Sequence, residues 1–494
     1  MFRSLALLLA FVLAAPAAAE DIPRLEQRGQ ATQMIVDGEP FLILGGELGN
    51  SEASSREAMR AHWPKLQAMN LNTVLAPVYW ELVEPEEGRF DFATVDGLLA
   101  DARAHDMRLV LLWFGTWKNS MSSYVPSWVK RDTERFERTL GADGRAQEIL
   151  SAHDRDARDA DARAFAALMR HLREIDGEQR TVIMVQVENE VGFLPFAKEG
   201  GNSADLAADE RATARAYAAF VEAVAAAGKR AYPLPLFVNG AQGRPGVAPG
   251  DYPSGGPLAH LAQEWREGAP SIDFIAPDIY FPNFAGIVDG YVEAGVRPLF
   301  IPEANRPPDP ALVANALRSI GEREAIGFSP FAIEDADKAQ AARIGGLYAM
   351  LDSIAPLVLA AQAEGRIAGF GNPVAFDGTA DLSPIVAELG GARFAVTTTD
   401  PWTPREAQDP AGHGGLLIWL GGEDYLFAGQ GVTLTVAPAD GQGRLGFDQV
   451  EEGRYENGEW RPGRRLNGDQ THQGRHVRLP PGAFGVQRFR LYRY

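Results

Sequence analysis

The sequence predicts an α/β fold: a (β/α)8 TIM barrel followed by a C-terminal β-sandwich-like domain. Three observations predict it. Eight short runs are apolar on both faces, as strands of a parallel sheet covered by helices must be. Longer stretches of helical periodicity lie between them. After about Leu382 the alternation stops, and short β-prone pieces separated by Gly, Pro and Asp turns take over. A chain of 494 residues also exceeds what one hydrophobic core supports.

The eight strand runs are, in order, "FLILGGEL" (41–48), "TVLAPVYW" (73–80), "RLVLLWFG" (108–115), "TVIMVQVE" (181–188), "LPLFVNG" (234–240), "FIAPDIYF" (274–281), "PLFIPE" (298–303) and "GFSPFAIE" (327–334). Between them lie helical patterns such as "SREAMRAHWPKLQAMN", "DARAFAALMRHLREID" and "ADERATARAYAAFVEAVAAAG", the last stopped by Gly228. A doubly wound sheet is the alternative, but it usually carries a glycine-rich phosphate turn after its first strand, and none stands there. The third run is followed by a long Ser- and charge-rich insertion, 116–156. Loops after barrel strands lie on the catalytic face, so this one is expected to wall the site. Pieces such as "RFAVTT", "GLLIWLG", "VTLTVAP" and "QRFRLYRY" make the β-rich end. The expected division is 1–19, 20–382 and 383–494.

Residues 1–19, "MFRSLALLLAFVLAAPAAA", read as a signal peptide with cleavage after Ala19: one Arg, a short apolar core, then small residues. A periplasmic or secreted location is therefore expected, with no membrane anchor, since no later stretch is read as a membrane span. The chain has no cysteine, which excludes disulfides and thiolate metal sites. Its net charge of −19 argues against nucleic acid as a partner, because phosphate neutralisation needs clustered Lys and Arg. The Arg-rich stretch 454–478 is diluted by acids and glycines and reads as solvated surface.

The fourth run ends in "VENEVG", carrying Glu188, Asn189 and Glu190 to a strand tip. Strict alternation puts Gln186, Glu188 and Glu190 on one face and turns Asn189 away. For Asn189 and Glu190 both to reach a ligand, the strand must end or bulge there. The seventh run also ends in a carboxylate, Glu303, followed by Asn305 and Arg306. Two carboxyls from different strand ends on one barrel mouth suit hydrolysis of a glycosidic bond, one protonating the leaving oxygen and the other attacking the anomeric carbon or activating water. A structural ion pair is the bland alternative for either one alone.

These residues also carry a resemblance. "QVENEVG" resembles the "QVENEYG" segment of glycoside hydrolase family 35 β-galactosidases, "YWELVEPEEGRFDF" (79–92) resembles their "W…EP" segment, and "YVPSWVKRD" (124–132) their "LPAWL". The resemblance runs from about Gln33 to Glu334, and the ordered set of motifs is what carries it. It implies that Glu190 is the acid/base and Glu303 the nucleophile of a retaining β-galactosidase that acts on a carbohydrate without cofactor or metal. The sequence departs from the family pattern at Gly49 and Asn50, at Ala76 and Pro77, and at Glu81 and Val83, positions that line the sugar site in relatives. The resemblance also suggests that Tyr280 hydrogen-bonds the nucleophile.

Further candidates follow from position. Asn189, Glu47 and Asn239 are strand-end polar residues suited to sugar hydroxyls. Trp117 offers an aromatic face for a sugar, as do Tyr124 and Trp113, though Trp113 fits barrel packing better. Glu84, just before Pro85, reads as structural. "GQGRLG" (441–446) opens no helix, and no P-loop, HExxH, GxSxG or paired-His pattern occurs. The expected function is hydrolysis of terminal β-galactosyl units. A different β-glycosidase (glucosidase or xylosidase) and a glycan-binding protein on a degenerate barrel are the rivals.

Overall fold

The computed structural model describes residues 22–141, 143–193, 206–456 and 458–494. The expected leader, 1–19, lies outside them. The described chain opens with a small antiparallel sheet, β1 (Arg24–Arg28), β2 (Ala31–Val36) and β3 (Glu39–Phe41). Then come β4 (Ile43–Glu47), β5 (Thr73–Tyr79), β6 (Arg108–Lys118), a hairpin β7 (Arg138–Leu140) and β8 (Ala146–Leu150), β9 (Val182–Asn189), β10 (Leu236–Ala241), β11 (Phe274–Ile279), β12 (Ile301–Ala304) and β13 (Gly327–Pro330). Eight of them close a parallel barrel in the order β4-β5-β6-β9-β10-β11-β12-β13, with β13 returning to β4. Every expected strand run supplies one of the eight. Their residues are buried on both faces, which is why they read as unbroken apolar runs.

The insertion after β6 holds a short helix, Ser127–Arg131, and the β7–β8 hairpin. Its ties run back to the barrel loops: the Trp128 indole N–H donates to the Glu84 carbonyl at 3.1 Å, and Lys130 pairs with Glu81 at 3.2 Å. Glu81, one of the departures from the family pattern, is thus engaged by the insertion.

The C-terminal region is a two-sheet sandwich. It contains β14 (Ile367–Gly371), β15 (Ile385–Leu389), β16 (Ala392–Thr397), β17 (Gly414–Gly421), β18 (Asp424–Gln430), β19 (Val432–Pro438), β20 (Leu445–Glu456), β21 (Glu459–Arg465), β22 (Val477–Leu479) and β23 (Gly485–Arg493). One sheet runs β14-β17-β18-β23-β20-β21 and the other β15-β16-β19-β22. Phe370, Phe394, Leu417, Phe427 and Phe489 fill the space between them. Strand β14 begins well before 382, the division expected from sequence, yet it hydrogen-bonds into this sandwich along β17. Only a short strand, directly after the helix Lys338–Glu364, marks the change of pattern there. At the seam with the barrel, a Cβ on Gly321 would lie 2.7 Å from the Gly369 Cα, so helix and strand meet there by having no side chains.

One described helix, Lys338–Glu364, is long and apolar enough to cross a membrane by length and composition, contrary to the sequence expectation. Its apolar residues are largely packed: Ile344, Leu347, Tyr348, Leu351, Ile354 and Val358 are buried in the main core. Asp337 and Gln340 form a capping box at its start, and left-handed Gly365 ends it. It reads as apolar because it is covered by protein on several sides.

Candidate active site

Parallel strands that close a barrel bring all their C-terminal ends to one mouth. Here those ends carry Glu47 (β4), Lys118 (β6), Asn189 and Glu190 (β9), Asn239 (β10), Asp278 (β11) and Glu303 (β12). All seven are buried.

The tip of β9 abandons strict alternation. Glu188 and Glu190 take left-handed backbone angles, φ 62° and 46°, and the pairing with β6 shifts register between Trp113 and Lys118. This turns Glu188 out of the mouth, correcting the alternation that grouped it with Glu190. Its carboxylate accepts the main-chain N–H groups of Thr116 (3.2 Å) and Trp117 (2.7 Å), beside Asp161. Asp161 in turn accepts from the Trp113 indole at 2.8 Å, and from the Thr116 N–H and hydroxyl at 2.9 and 2.6 Å. Burial, then the charge of Asp161, pushes the Glu188 carboxyl well above its ordinary range. Gly115 lies against this pair; a Cβ there would sit 2.4–2.7 Å from Trp113, Asp161 and Glu188.

Asn189 and Glu190 face the other way. Lys118 donates to the Asn189 side-chain oxygen at 2.6 Å. The Asn119 amide donates to Glu190, whose own N–H donates to Asn239 Oδ1 at 2.9 Å. Asn239 Nδ2 donates to Asp278 at 2.5 Å. Across the mouth, the Tyr280 hydroxyl donates to Glu303, and the residue is partly exposed. Glu190, Asp278 and Glu303 each bring a carboxylate oxygen within 4.8 Å of the others. That spacing could accept a cation, a charge that the Lys118 ammonium group already supplies beside them.

The electrostatics separate the two glutamates. Burial, then the charge of Glu303, pushes Glu190 up to about 7, although Lys118 and the side chains of Asp278 and Asn119 pull the other way. Glu47 and Asp278 are raised well above the carboxylate range by burial and then by Glu303. Tyr280 is raised for the same two reasons. Among the described residues, both oxygens of Glu47, one each of Asp278 and Glu303, and the Asn189 amide nitrogen are buried without a hydrogen-bond partner. Unmet polar atoms converging on one buried mouth are what a hydroxyl-rich ligand would satisfy.

The structure therefore brings together Glu190, Glu303, Asn189, Tyr280, Glu47 and Asn239. Asn239 meets Glu190 and Asp278 with both ends of its amide. Trp117 is not among them. It is fully buried behind β6, its ring 5.0 Å from Tyr217 and 4.5 Å from Phe220, and its indole N–H donates to the Leu150 carbonyl. The irregular backbone at Gly115–Lys118 puts it on the outer face. Trp113 packs outward on Phe165. Tyr124 sits 5.3 Å from Tyr79, and both hydroxyls point to the Asn50 carbonyl. Glu84 accepts from the Trp80 indole and the Gly88 N–H, which closes its own loop.

Sequence reasoning missed Lys118, Asn119 and Asp278. The third strand was expected to stop at 115 but runs to Lys118. Asp278 had a signal: it stands two residues before Tyr280, so alternation places both on one side.

Two buried carboxyls at strand ends on one mouth of a (β/α)8 barrel suit the two-carboxyl chemistry of glycosidases. Comparison with known proteins agrees. Residues 50–199 match the family model Glyco_hydro_42, described as beta-galactosidase, and residues 344–478 match DUF5597, a domain of unknown function. The chain is 32% identical over 205 residues to a beta-galactosidase of Xanthomonas manihotis, covering 38% of this chain and 30% of that one. It is 32% identical over 162 residues to the human beta-galactosidase-1-like protein 3, covering 32% and 23%. The matches thus span less than a third of these relatives' length. A cold-adapted beta-galactosidase from Rahnella sp. R3 aligns with a TM-score of 0.49 at 14% identity, over 68% of this chain and 57% of that one. The family model and the curated relatives support a glycoside hydrolase of the β-galactosidase kind. They lean toward Glyco_hydro_42; the family 35 label is not confirmed by them.

Proposed function

We propose that the chain is a retaining, exo-acting β-galactosidase that removes terminal β-D-galactosyl units from oligosaccharides or plant polysaccharide side chains by a two-glutamate double displacement. The observation that carries this reading is the pairing of Glu190 and Glu303. Their oxygens lie within 4.8 Å, one carboxyl pushed up to about 7 and the other holding an oxygen without a partner. Retaining sites separate their carboxyls by roughly 5–5.5 Å and inverting sites by roughly 6.5–9.5 Å, so the close pair favours retention. Glu190 then gives its proton to the glycosidic oxygen while Glu303 bonds to the anomeric carbon. Water, deprotonated by Glu190, releases the sugar. Tyr280 holds Glu303 in its attacking position. The N-terminal sequence supports export to the periplasm or exterior.

A panel of nitrophenyl β-glycosides tests the reading, with galactoside expected to be the best substrate and the β-anomer the first product by NMR. Preference for glucoside or xyloside would keep the mechanism and change the sugar. Silence on the whole panel would favour a glycan-binding role.

A further inference from the structure

Asp278 has no part in the double displacement, yet it sits inside the carboxylate cluster. Its strand register places it directly beside Glu303. One of its oxygens accepts the Asn239 amide N–H at 2.5 Å, and the oxygen of that same amide accepts the main-chain N–H of Glu190 at 2.9 Å. Asp278, Asn239 and the Glu190 backbone thus form a continuous chain across β11, β10 and β9. It ends on a residue at φ 46°, a conformation that L-residues hold only when their surroundings impose it. The other Asp278 oxygen is buried and, among the described residues, has no hydrogen-bond partner; one oxygen of this carboxyl lies within 4.8 Å of oxygens of Glu190 and Glu303. The charged and titratable groups around it are Glu47 from β4, Lys118 from β6, Glu190 from β9, Tyr280 on its own strand, Tyr291 from the helix Phe284–Glu293, and Glu303 from β12. Burial, then the three neighbouring carboxyls, against one lysine, raise the Asp278 carboxyl well above its ordinary range, the direction that favours the donating form.

We propose that Asp278 is a positioning residue for Glu190, holding its left-handed backbone through Asn239 and donating from its own carboxyl to the Glu190 carboxylate once that group has lost its proton. The inference rests on the reading of Glu190 as acid/base. In the first step the Glu190 proton passes to the glycosidic oxygen, whose bond to the anomeric carbon breaks as a Glu303 oxygen bonds to that carbon. Glu190 is now an anion beside a neutral ester, and the retained Asp278 O–H donates to it. In the second step a water proton returns to Glu190, the water oxygen bonds to the anomeric carbon, and the bond to Glu303 breaks. Asp278 loses no proton over the cycle.

The test compares Asp278→Ala, Asp278→Asn, Asn239→Ala and the Asp278→Ala/Asn239→Ala double variant with the wild type, on 4-nitrophenyl and methyl β-D-galactosides. Asp278→Ala is expected to lower kcat on the methyl glycoside by about 10²-fold, with KM moving less than about threefold and a smaller loss on the nitrophenyl glycoside. Asp278→Asn can still accept from Asn239 and donate to Glu190, and is expected to stay within about tenfold of the wild type. The double variant should be no worse than Asp278→Ala, because both act through one chain. Equal losses on the two substrates, no rescue by Asn, or additive losses would each overturn the proposal. If Asp278→Ala does not give a cooperative thermal melt, Asn239→Ala decides by the same leaving-group criterion. A wild type silent on every glycoside would overturn the site reading as well; an active wild type with the wrong variant pattern would overturn this proposal alone.

Discussion

Two buried carboxyl clusters lie back to back at the end of one strand. Outside the barrel, Glu188 and Asp161 share five donor contacts, from Thr116 N–H (to both carboxyls), Trp117 N–H, the Trp113 indole and the Thr116 hydroxyl. Inside it, Glu190 meets Asp278, Glu303 and Glu47, where four carboxylate oxygens lack partners among the described residues. Both clusters are buried, and each holds a carboxyl raised above the ordinary range, Glu188 in the outer one and Glu190 in the inner. Burial and charge therefore do not distinguish them. What does is satisfaction: the outer cluster is complete without a ligand and holds the β6 bulge, whereas the inner cluster is complete only when something else brings donors.

The sharpest way to break this contrast is Glu303→Ala. Loss of the proposed nucleophile should lower kcat by about 10⁴-fold or more while leaving thermal stability unchanged or higher, since a buried carboxyl with an unpartnered oxygen is removed. A comparable kinetic loss on replacing Glu188 in a folded protein would erase the distinction.

Next in size is Glu190. Glu190→Gln should cost roughly 10²–10⁴-fold on poor leaving groups and remove the alkaline limb of the rate profile, which in the wild type should fall off above about pH 7. Linkage gives a second measurement. A carboxyl raised from its ordinary 4.5 to about 7 contributes most to stability below pH 4.5, and that contribution is lost as pH rises through 7. The change is about 3 kcal/mol at one pH unit per 1.36 kcal/mol. Denaturant unfolding at pH 4.5 and 7.5 should show that slope in the wild type and its reduction in Glu190→Gln.

Glu188→Ala should reverse the pattern. It strands the buried N–H groups of Thr116 and Trp117, so about 2–4 kcal/mol of stability should be lost in urea titrations. The kinetic loss of the remaining folded enzyme should stay well below that of Glu190→Gln.

The smallest effect is expected from Trp117→Phe. It keeps the buried ring between Tyr217 and Phe220 and loses the bond to the Leu150 carbonyl, for about 1 kcal/mol. KM should not move; a several-fold rise would put this ring back among the sugar contacts.

By itself, the sequence determined the barrel and the mouth at which its strand-end carboxyls gather. Runs that are apolar on both faces can be satisfied only inside a covered parallel sheet, and a parallel sheet sends every strand end to the same mouth. Glu190 and Glu303 were legible for that reason, and so was the neighbourhood of Tyr280, Asn239 and Glu47. Tertiary structure alone decided which side each tip residue faces and which neighbours it meets. Alternation assigns Glu188 and Glu190 to one face, but two left-handed residues and a slipped register separate them. Whether a strand keeps its period at its last residues depends on the strand beside it, here β6 and Gly115. Asp278 joined the cluster through its register against Glu303, a relation between residues far apart in the chain. The pKa of Glu190 is set the same way: burial and a carboxyl 113 positions further along the chain hold its proton.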